Sequence, residues 1–308
     1  MTAGQQGSGA TQPGAAAVPQ LSVVVAAVDV EETIGACLTA LLTATAHLAV
    51  EILLVHASSD RTADRVAAFP SVRVMAASPG TLVPHLWARG YHASRSPFVA
   101  FTLGQLCVSP TWADRLLAAM TDNVAGAGGP FALGPHTRPS SWALFYLRYS
   151  AFVEARWRDG VVDGEIAGDN AFYRRRDLDA GPSFEHTGFW EVEIHRELRQ
   201  RGLTLAAAGG AAAMFIGDVS PRRVLRERLR HGRRFGASRA GTLAARVRIV
   251  VAAPLVPAVL FLRAARRVWP SPDHRRRLLG GAGWMWLFAS AWALGEAVGA
   301  LCGAGPES

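Results

Sequence analysis

FVAFTLGQLCVSPTW, Phe98–Trp112, decides the fold. Phe98 to Phe101 is a short apolar run typical of a buried strand, Leu103, Gly104 and Gln105 form a polar turn at its end, and a helix follows. The same strand-then-helix unit recurs on the N-terminal side. Leu21–Ala27 (LSVVVAA) has the β-branched composition of a fully buried strand, and Glu31–Leu42 follows with helical periodicity. Val50–His56 (VEILLVH) repeats the strand signature, and Ser58, Ser59, Asp60 and Thr62 supply turn and N-cap chemistry before a helix at Ala63–Ala68. A third strand is expected at Val72–Ala76 and a helix at Leu82–Ala93. Four strands alternating with helices predict an α/β, Rossmann-like, mostly parallel sheet flanked by helices, with ligands bound at the carboxyl ends of the strands.

Beyond this half, the Gly- and Pro-rich stretch Ala125–Ser141 reads as a long loop and Trp142–Arg158 as an aromatic helix. Gly164–Asn170 reads as a short strand, and Glu191–Arg201 as a helix ended by Gly202. Residues 21–240 are expected to form one domain, preceded by a disordered leader at residues 1–20.

All 32 basic residues are arginine and the formal charge is +8, so mechanisms needing a Schiff-base or P-loop lysine are excluded. Cys37, Cys107 and Cys302 are far apart and lack metal-ligand spacing, which argues for a reducing compartment and against structural zinc or a disulfide framework. Residues 241–308 change character to a membrane-associated region. Ile249–Leu262 is apolar but short and holds Pro254 and Pro257, so it is expected to be interfacial or re-entrant. Leu278–Gly295 runs without a charge, and a single crossing over residues 278–300 is expected, anchored by Trp284, Trp286 and Trp292. Arg263, Arg266, Arg267, Arg275, Arg276 and Arg277 lie between the two segments and place that loop, and the preceding domain, on the cytoplasmic face. The other reading is that both segments are core helices of a soluble protein.

Taken in order, LSVVVAAVDVEETIGACLTALL, EILLVHASSDRTADRV, SPFVAFTLGQLCVSPTWADRLL, AGDNAFYRR, FWEVEIHRELRQRG, LRERLRHGRRFGASR and AWALGEAVGALCG resemble the family 2 glycosyltransferases of GT-A fold. The resemblance covers roughly residues 21 to 303. It implies a nucleotide-sugar donor held by the strand-end loops, a DxD pair gripping a divalent metal, and a carboxylate that deprotonates the acceptor. The donor positions depart from the pattern. Val28 replaces the usual aromatic residue and Asp29 stands where Asn is common; the acidic residue after the second strand falls on His56, with Ser58 and Asp60 keeping the turn. The Arg of the helix motif becomes Trp87, leaving Gly90. The DxD positions are Leu103 and Gln105, which cannot serve a hard cation, so neither Mg nor Mn is expected.

Guanidinium groups would then have to meet the leaving diphosphate, and Arg228, Arg230, His231, Arg233 and Arg234 lie where the family brings a basic segment to the mouth of the site. The same segment also reads as a basic amphipathic helix touching anionic lipid. On the acceptor side the resemblance implies Glu191 as base, with His195 one turn later orienting it or contacting phosphate, and Asp169, Asn170 and Glu193 around the acceptor. Tyr146, Tyr149 and Trp157 could stack on sugar or lipid. The expectation is a membrane-attached, inverting glycosyltransferase that works on a lipid-linked or cell-envelope acceptor without a metal. The alternative is a non-catalytic relative that binds glycan, lipid phosphate or a partner enzyme. No nucleic-acid partner is expected, because the arginine cluster adjoins an apolar segment.

Overall fold

The computed structural model describes residues 18–134 and 138–303; residues 1–17, most of the stretch read as a disordered leader, lie outside the described residues. The chain runs β1 (Leu21–Ala27), α1 (Ile34–Ala44), β2 (Val50–His56), α2 (Thr62–Val66), β3 (Val72–Ala76), α3 (Val83–Ala93) and β4 (Phe98–Leu103). β1 and β4 are buried nearly end to end, as their unbroken apolar runs require. Then come β5 (Leu106–Val108), α4 (Trp112–Ala119), β6 (Val124–Gly128), β7 (Phe131–Leu133), α5 (Pro139–Tyr149) and β8 (Gly160–Val162). β9 (Ala171–Arg174), α6 (Arg175–Asp179), α7 (Glu191–Gln200), β10 (Thr204–Ala207) and β11 (Ala213–Phe215) complete the sheets.

The main sheet has the order β3-β2-β1-β4-β9-β6-β10-β8, and β5-β11-β7 form a smaller one. β1 pairs in parallel with both β2 and β4, while β9 is antiparallel to both β4 and β6. Strand order therefore reverses between β1 and β4, and such a reversal leaves a crevice at the carboxyl ends of those strands.

Part of the expected loop at residues 125–141 is strand, in β6 and β7, and α5 takes in its end from Pro139, while residues 135–137 lie outside the described residues. The glycines of β6 serve close packing rather than turning: a Cβ at Gly126 would lie 2.8 Å from the Tyr173 ring, and one at Gly128 would lie 2.6 Å from Ile166 Cβ. Gly164–Asn170 is not a strand; it ends in a 3-10 turn at Gly168–Asn170 that delivers the chain into β9. The helix expected at 142–158 starts earlier and stops at Tyr149.

After β11 come α8 (Pro221–Arg239), α9 (Leu243–Ala252), α10 (Val256–Val268), α11 (Pro272–Gly280) and α12 (Ala282–Cys302). The short apolar segment at 249–262 is part of a 26-residue helical run, Leu243–Val268, in which an 18-residue stretch has mean hydropathy 1.9. Pro254 and Pro257 do not break the run, because each falls in a first helical turn where its missing N–H is not needed. α12 has 21 residues, so both helical stretches are of membrane-spanning length. α12 packs along α8 almost backbone to backbone. A Cβ at Gly236 would sit 2.1 Å from the Glu296 carbonyl oxygen, and one at Gly299 would sit 1.8 Å from that of Arg233. Gly232 and Gly295 make equally close approaches, and Glu296 pairs with Arg239 at 3.2 Å.

Candidate active site

The crevice between β1 and β4 opens into a cleft of about 400 Å³. Asp29 and Glu31 line it from the loop after β1, Asp60 from the loop after β2, Gln105 from the end of β4, and Arg222, Arg223 and Arg226 from the first turns of α8. The two loops are stitched together by their own polar groups. Asp29, in the left-handed region at φ 48°, accepts from the Ser59 amide at 2.8 Å, and its amide donates to Ser58 Oγ at 3.1 Å. Asp60 accepts from the amides of Glu31 and Thr62, each at 3.0 Å, and from the Thr62 hydroxyl. Against the upward push of partial burial, these bonds hold the Asp60 carboxyl below its ordinary range. Arg223 closes the cradle from above, donating to the Val28 and Asp29 carbonyls at 2.6 and 3.0 Å.

The residues at the DxD positions do not fit a divalent metal. Leu103 is 4% exposed at the end of β4, and Gln105 offers a neutral amide. Among the described residues no three His, Cys, Asp or Glu side chains converge on a metal-sized site. Trp87, at the position of the family's helix arginine, is a core residue: its indole N–H donates to the Thr102 carbonyl at 3.0 Å and its ring meets Phe101 and Phe189. Gly90 lets α3 cross β1, since a Cβ there would lie 2.2 Å from Val24.

Of the residues expected at the donor site, only Asp29, Asp60 and Gln105 line this cleft; His56, Ser58, Arg228, His231 and Arg233 do not. His56 is not among the cleft-lining residues, and its Nδ1 is buried without a partner among the described residues. The Arg233 guanidinium donates to the Gly303 carbonyl just past α12, because the α8–α12 contact draws that turn away from the cleft.

The acceptor-side residues gather around the 3-10 turn before β9. Asp169 is buried and accepts from Arg148 Nη2 at 2.7 Å and from the Tyr149 hydroxyl at 2.6 Å. Tyr149 is held flat on Phe131 at 3.9 Å. Glu191, half-buried in the first turn of α7, lies over the bare Cα of Gly168, where an added Cβ would come within 3.0 Å of its own Cβ. Burial first, and then the nearby Asp169 carboxylate, push the Glu191 carboxyl up to about 7, opposed by its own backbone N–H and by Arg148. A carboxyl poised there has the affinity a general base needs at neutral pH.

Asn170 is not available to an acceptor. Its amide is fully buried and engaged, accepting from the Trp112 indole at 2.6 Å and donating to the Pro130 and Ala211 carbonyls at 2.9 and 3.0 Å. Glu193 is exposed on α7, away from this buried cluster.

His195 is fully buried with both ring nitrogens engaged, so it cannot reach phosphate. Its Nδ1 is bonded to Glu165, and its Nε2 lies 2.7 Å from the Tyr173 hydroxyl. Burial lowers its proton affinity more than Glu165 raises it, so the ring is neutral at pH 7, Nδ1–H donating to Glu165 and Nε2 accepting from Tyr173. Arg199 completes the chain at 2.8 Å from Glu165. Its effect on the site is to position Tyr173.

α8 joins cleft and cluster on one face. Arg223 serves the cleft, Glu227 follows one turn later at 3.6 Å from it, and Arg228 and His231 lie over the cluster. Burial and the arginines Arg228 and Arg148 push His231 down to about 3, so it is neutral, and its ring meets Trp190 edge-on at 5.8 Å. Arg228 is itself lowered to about 10 by burial and by Arg148. Arg228 Nη2 is buried without a partner among the described residues, as a donor awaiting an anion would be, and His231 Nε2 is likewise buried and unpartnered.

Sequence reasoning missed Arg148, Glu165, Tyr173 and Arg223. Arg148 had a signal, being the one charged residue in WALFYLRY; Glu165, in an irregular segment, had none.

No protein-family model matches the chain, and no curated protein does. Among solved structures it is similar to the mannosyltransferase PcManGT from Pyrobaculum calidifontis in complex with GDP-Man and Mn2+, at 15% identity over 93% of this chain and 88% of that one, TM-score 0.49. It is similar to S. aureus TarS 1-349 in complex with UDP-GlcNAc at 12% identity over 68% of this chain and 64% of that one, TM-score 0.44. It is also similar to glucosyl-3-phosphoglycerate synthase from Mycobacterium tuberculosis, at 19% identity over 65% of this chain and 71% of that one, TM-score 0.41. With TM-scores below 0.5 and identities below 20%, these likenesses leave the functional reading to the residues themselves.

Proposed function

We propose that this chain is an inverting glycosyltransferase that moves a sugar from a nucleotide donor in the strand-end cleft to a hydroxyl acceptor beside Glu191. The observation that carries it is the Glu191 carboxyl, held over Gly168 and pushed up to about 7. Glu191 takes the acceptor proton as the acceptor oxygen bonds to the anomeric carbon and the bond from that carbon to the diphosphate breaks. The leaving diphosphate is met by Arg222, Arg223 and Arg226 at the cleft and by Arg228 and His231 further along α8, with no divalent metal taking part. The arginine-flanked apolar C-terminal region supports a reading in which the domain works at the cytoplasmic face of a membrane on a lipid-linked or envelope acceptor.

One observation favours a second reading, a non-catalytic glycan- or phosphate-binding relative: Asp60 and Asp29, expected to bind the donor, already bond within the loops. Titration calorimetry with a panel of nucleotide sugars, on wild type and Glu191→Gln, separates the two. Donor binding by both, with turnover on membranes lost in the variant, supports the transferase. Absence of donor binding with or without added metal sinks it.

A further inference from the structure

Leu243, Val247, Val251, Leu255, Val259 and Leu262 recur every three or four residues along α9 and α10, and all six are exposed. At about 3.6 residues per turn that spacing winds them in a band over roughly half of the helix surface, a broad apolar face that water alone would leave unfavourably solvated. Arg246 and Arg248 stand exposed at one end, Arg263 and Arg266 at the other, and no acidic residue occurs from Leu243 to Pro272. Trp269, and Trp284 and Trp286 of α12, are exposed as well.

α12 is long enough to cross a bilayer, but its partner is not suited to accompany it. The glycine contacts bind α12 along α8, and α8 carries eight arginines in PRRVLRERLRHGRRFGASR. A crossing would take these guanidinium groups to bilayer depth, where each is costly. We infer that the C-terminal region docks in the plane of an anionic bilayer: the apolar face of α9 and α10 sits at the boundary of headgroups and acyl chains, the arginines at its ends lie among the headgroups, and α12 stays on the protein side. This replaces the single crossing expected from the sequence. A second copy of the chain is a poorer occupant, because the run offers its arginines no carboxylate in return. The surface deepens the membrane attachment proposed above, and its test reads side and lipid charge rather than sugar transfer, so either can fail alone.

The full chain is floated with phosphatidylcholine vesicles with and without phosphatidylglycerol. Binding is expected to be roughly tenfold or more tighter to the anionic vesicles, given about four surface arginines. It should be lost in Val251→Asp/Leu255→Asp, whose side chains are 70% and 64% exposed, so that the melting temperature stays unchanged. Equal binding to both vesicle types, or flotation of the double variant, overturns the docking face. For the side of α12, Cys302 is exposed at its C-terminal end and Asp122 is exposed on the transferase domain. In membranes from cells producing Cys107→Ser, with and without Asp122→Cys, a membrane-impermeant maleimide is expected to reach both positions from the same side. Labelling from the opposite side of Cys302, or of Asp273→Cys at the exposed start of α11, means that a helix crosses and overturns the in-plane arrangement.

Discussion

The strand-end cleft and the buried charge cluster lie along successive turns of α8 and are held in opposite ways. In the cleft, Asp29, Ser58, Asp60 and Thr62 satisfy one another and the neighbouring amides, so the loops are rigid and their carboxylates committed. In the cluster, Asp169 is paired, the Glu191 carboxyl is pushed up to about 7, and buried nitrogens of Arg228 and His231 are left without partners among the described residues. A region whose polar groups are consumed can shape a pocket but reads its ligand weakly; one whose groups are left in tension can move a proton or hold an anion. Chemistry belongs to the second.

The largest expected effect tests that division directly. Glu191→Gln should lower turnover by about 10²–10⁴-fold, the usual contribution of a general base, with donor affinity unchanged by calorimetry; a parallel loss of both would mean that Glu191 serves the cleft instead. Next comes Asp169→Ala, which leaves the buried Tyr149 hydroxyl without its acceptor and the partly exposed Arg148 without its carboxylate, and should cost on the order of 1–3 kcal/mol, read by denaturant unfolding. If stability is unaltered, the cluster is not the strained region described. The pH dependence follows in size. Turnover should rise as pH increases through about 7, where Glu191 loses its proton. Stability should run the other way. The folded state holds the Glu191 proton more tightly than the unfolded chain, so this contribution is complete below the ordinary value of 4.5 and is lost as pH climbs toward 7. Thermal midpoints across that window, flattened by Glu191→Gln, check the sign. The smallest effect is expected in the cleft: Asp60→Asn should change donor affinity by less than roughly tenfold, because its carboxylate bonds to the loop and not to the ligand. A larger loss would show that Asp60 reads the base.

β1, β2 and β3 were legible residue for residue, because continuous apolar runs between turn signals leave a strand few alternatives. The second half was harder. Gly126 and Gly128 look like loop residues in sequence and become strand residues because Tyr173 and Ile166, distant in the chain, fill the space above them. Glu191 could be singled out from its motif, whereas its proton affinity depends on Asp169 and Arg148, which only the folded chain brings near. Asn170 and His195 were visible as residues of the site, but their hydrogen bonds point inward, and no local pattern records that.

Between α8 and α12 the contact is made at Gly232, Gly236, Gly295 and Gly299, a spacing of four on both helices. Two such surfaces fit in steps: a slip by one residue drives a side chain into backbone, so glycine meets backbone again only after four residues, about 6 Å. A step of that length would lift Arg223 off the Val28 and Asp29 carbonyls and carry Arg228 and His231 off the cluster in the same movement. Cleft and cluster thus hang on one helix, and a shift of α8 along its axis would disturb both at once.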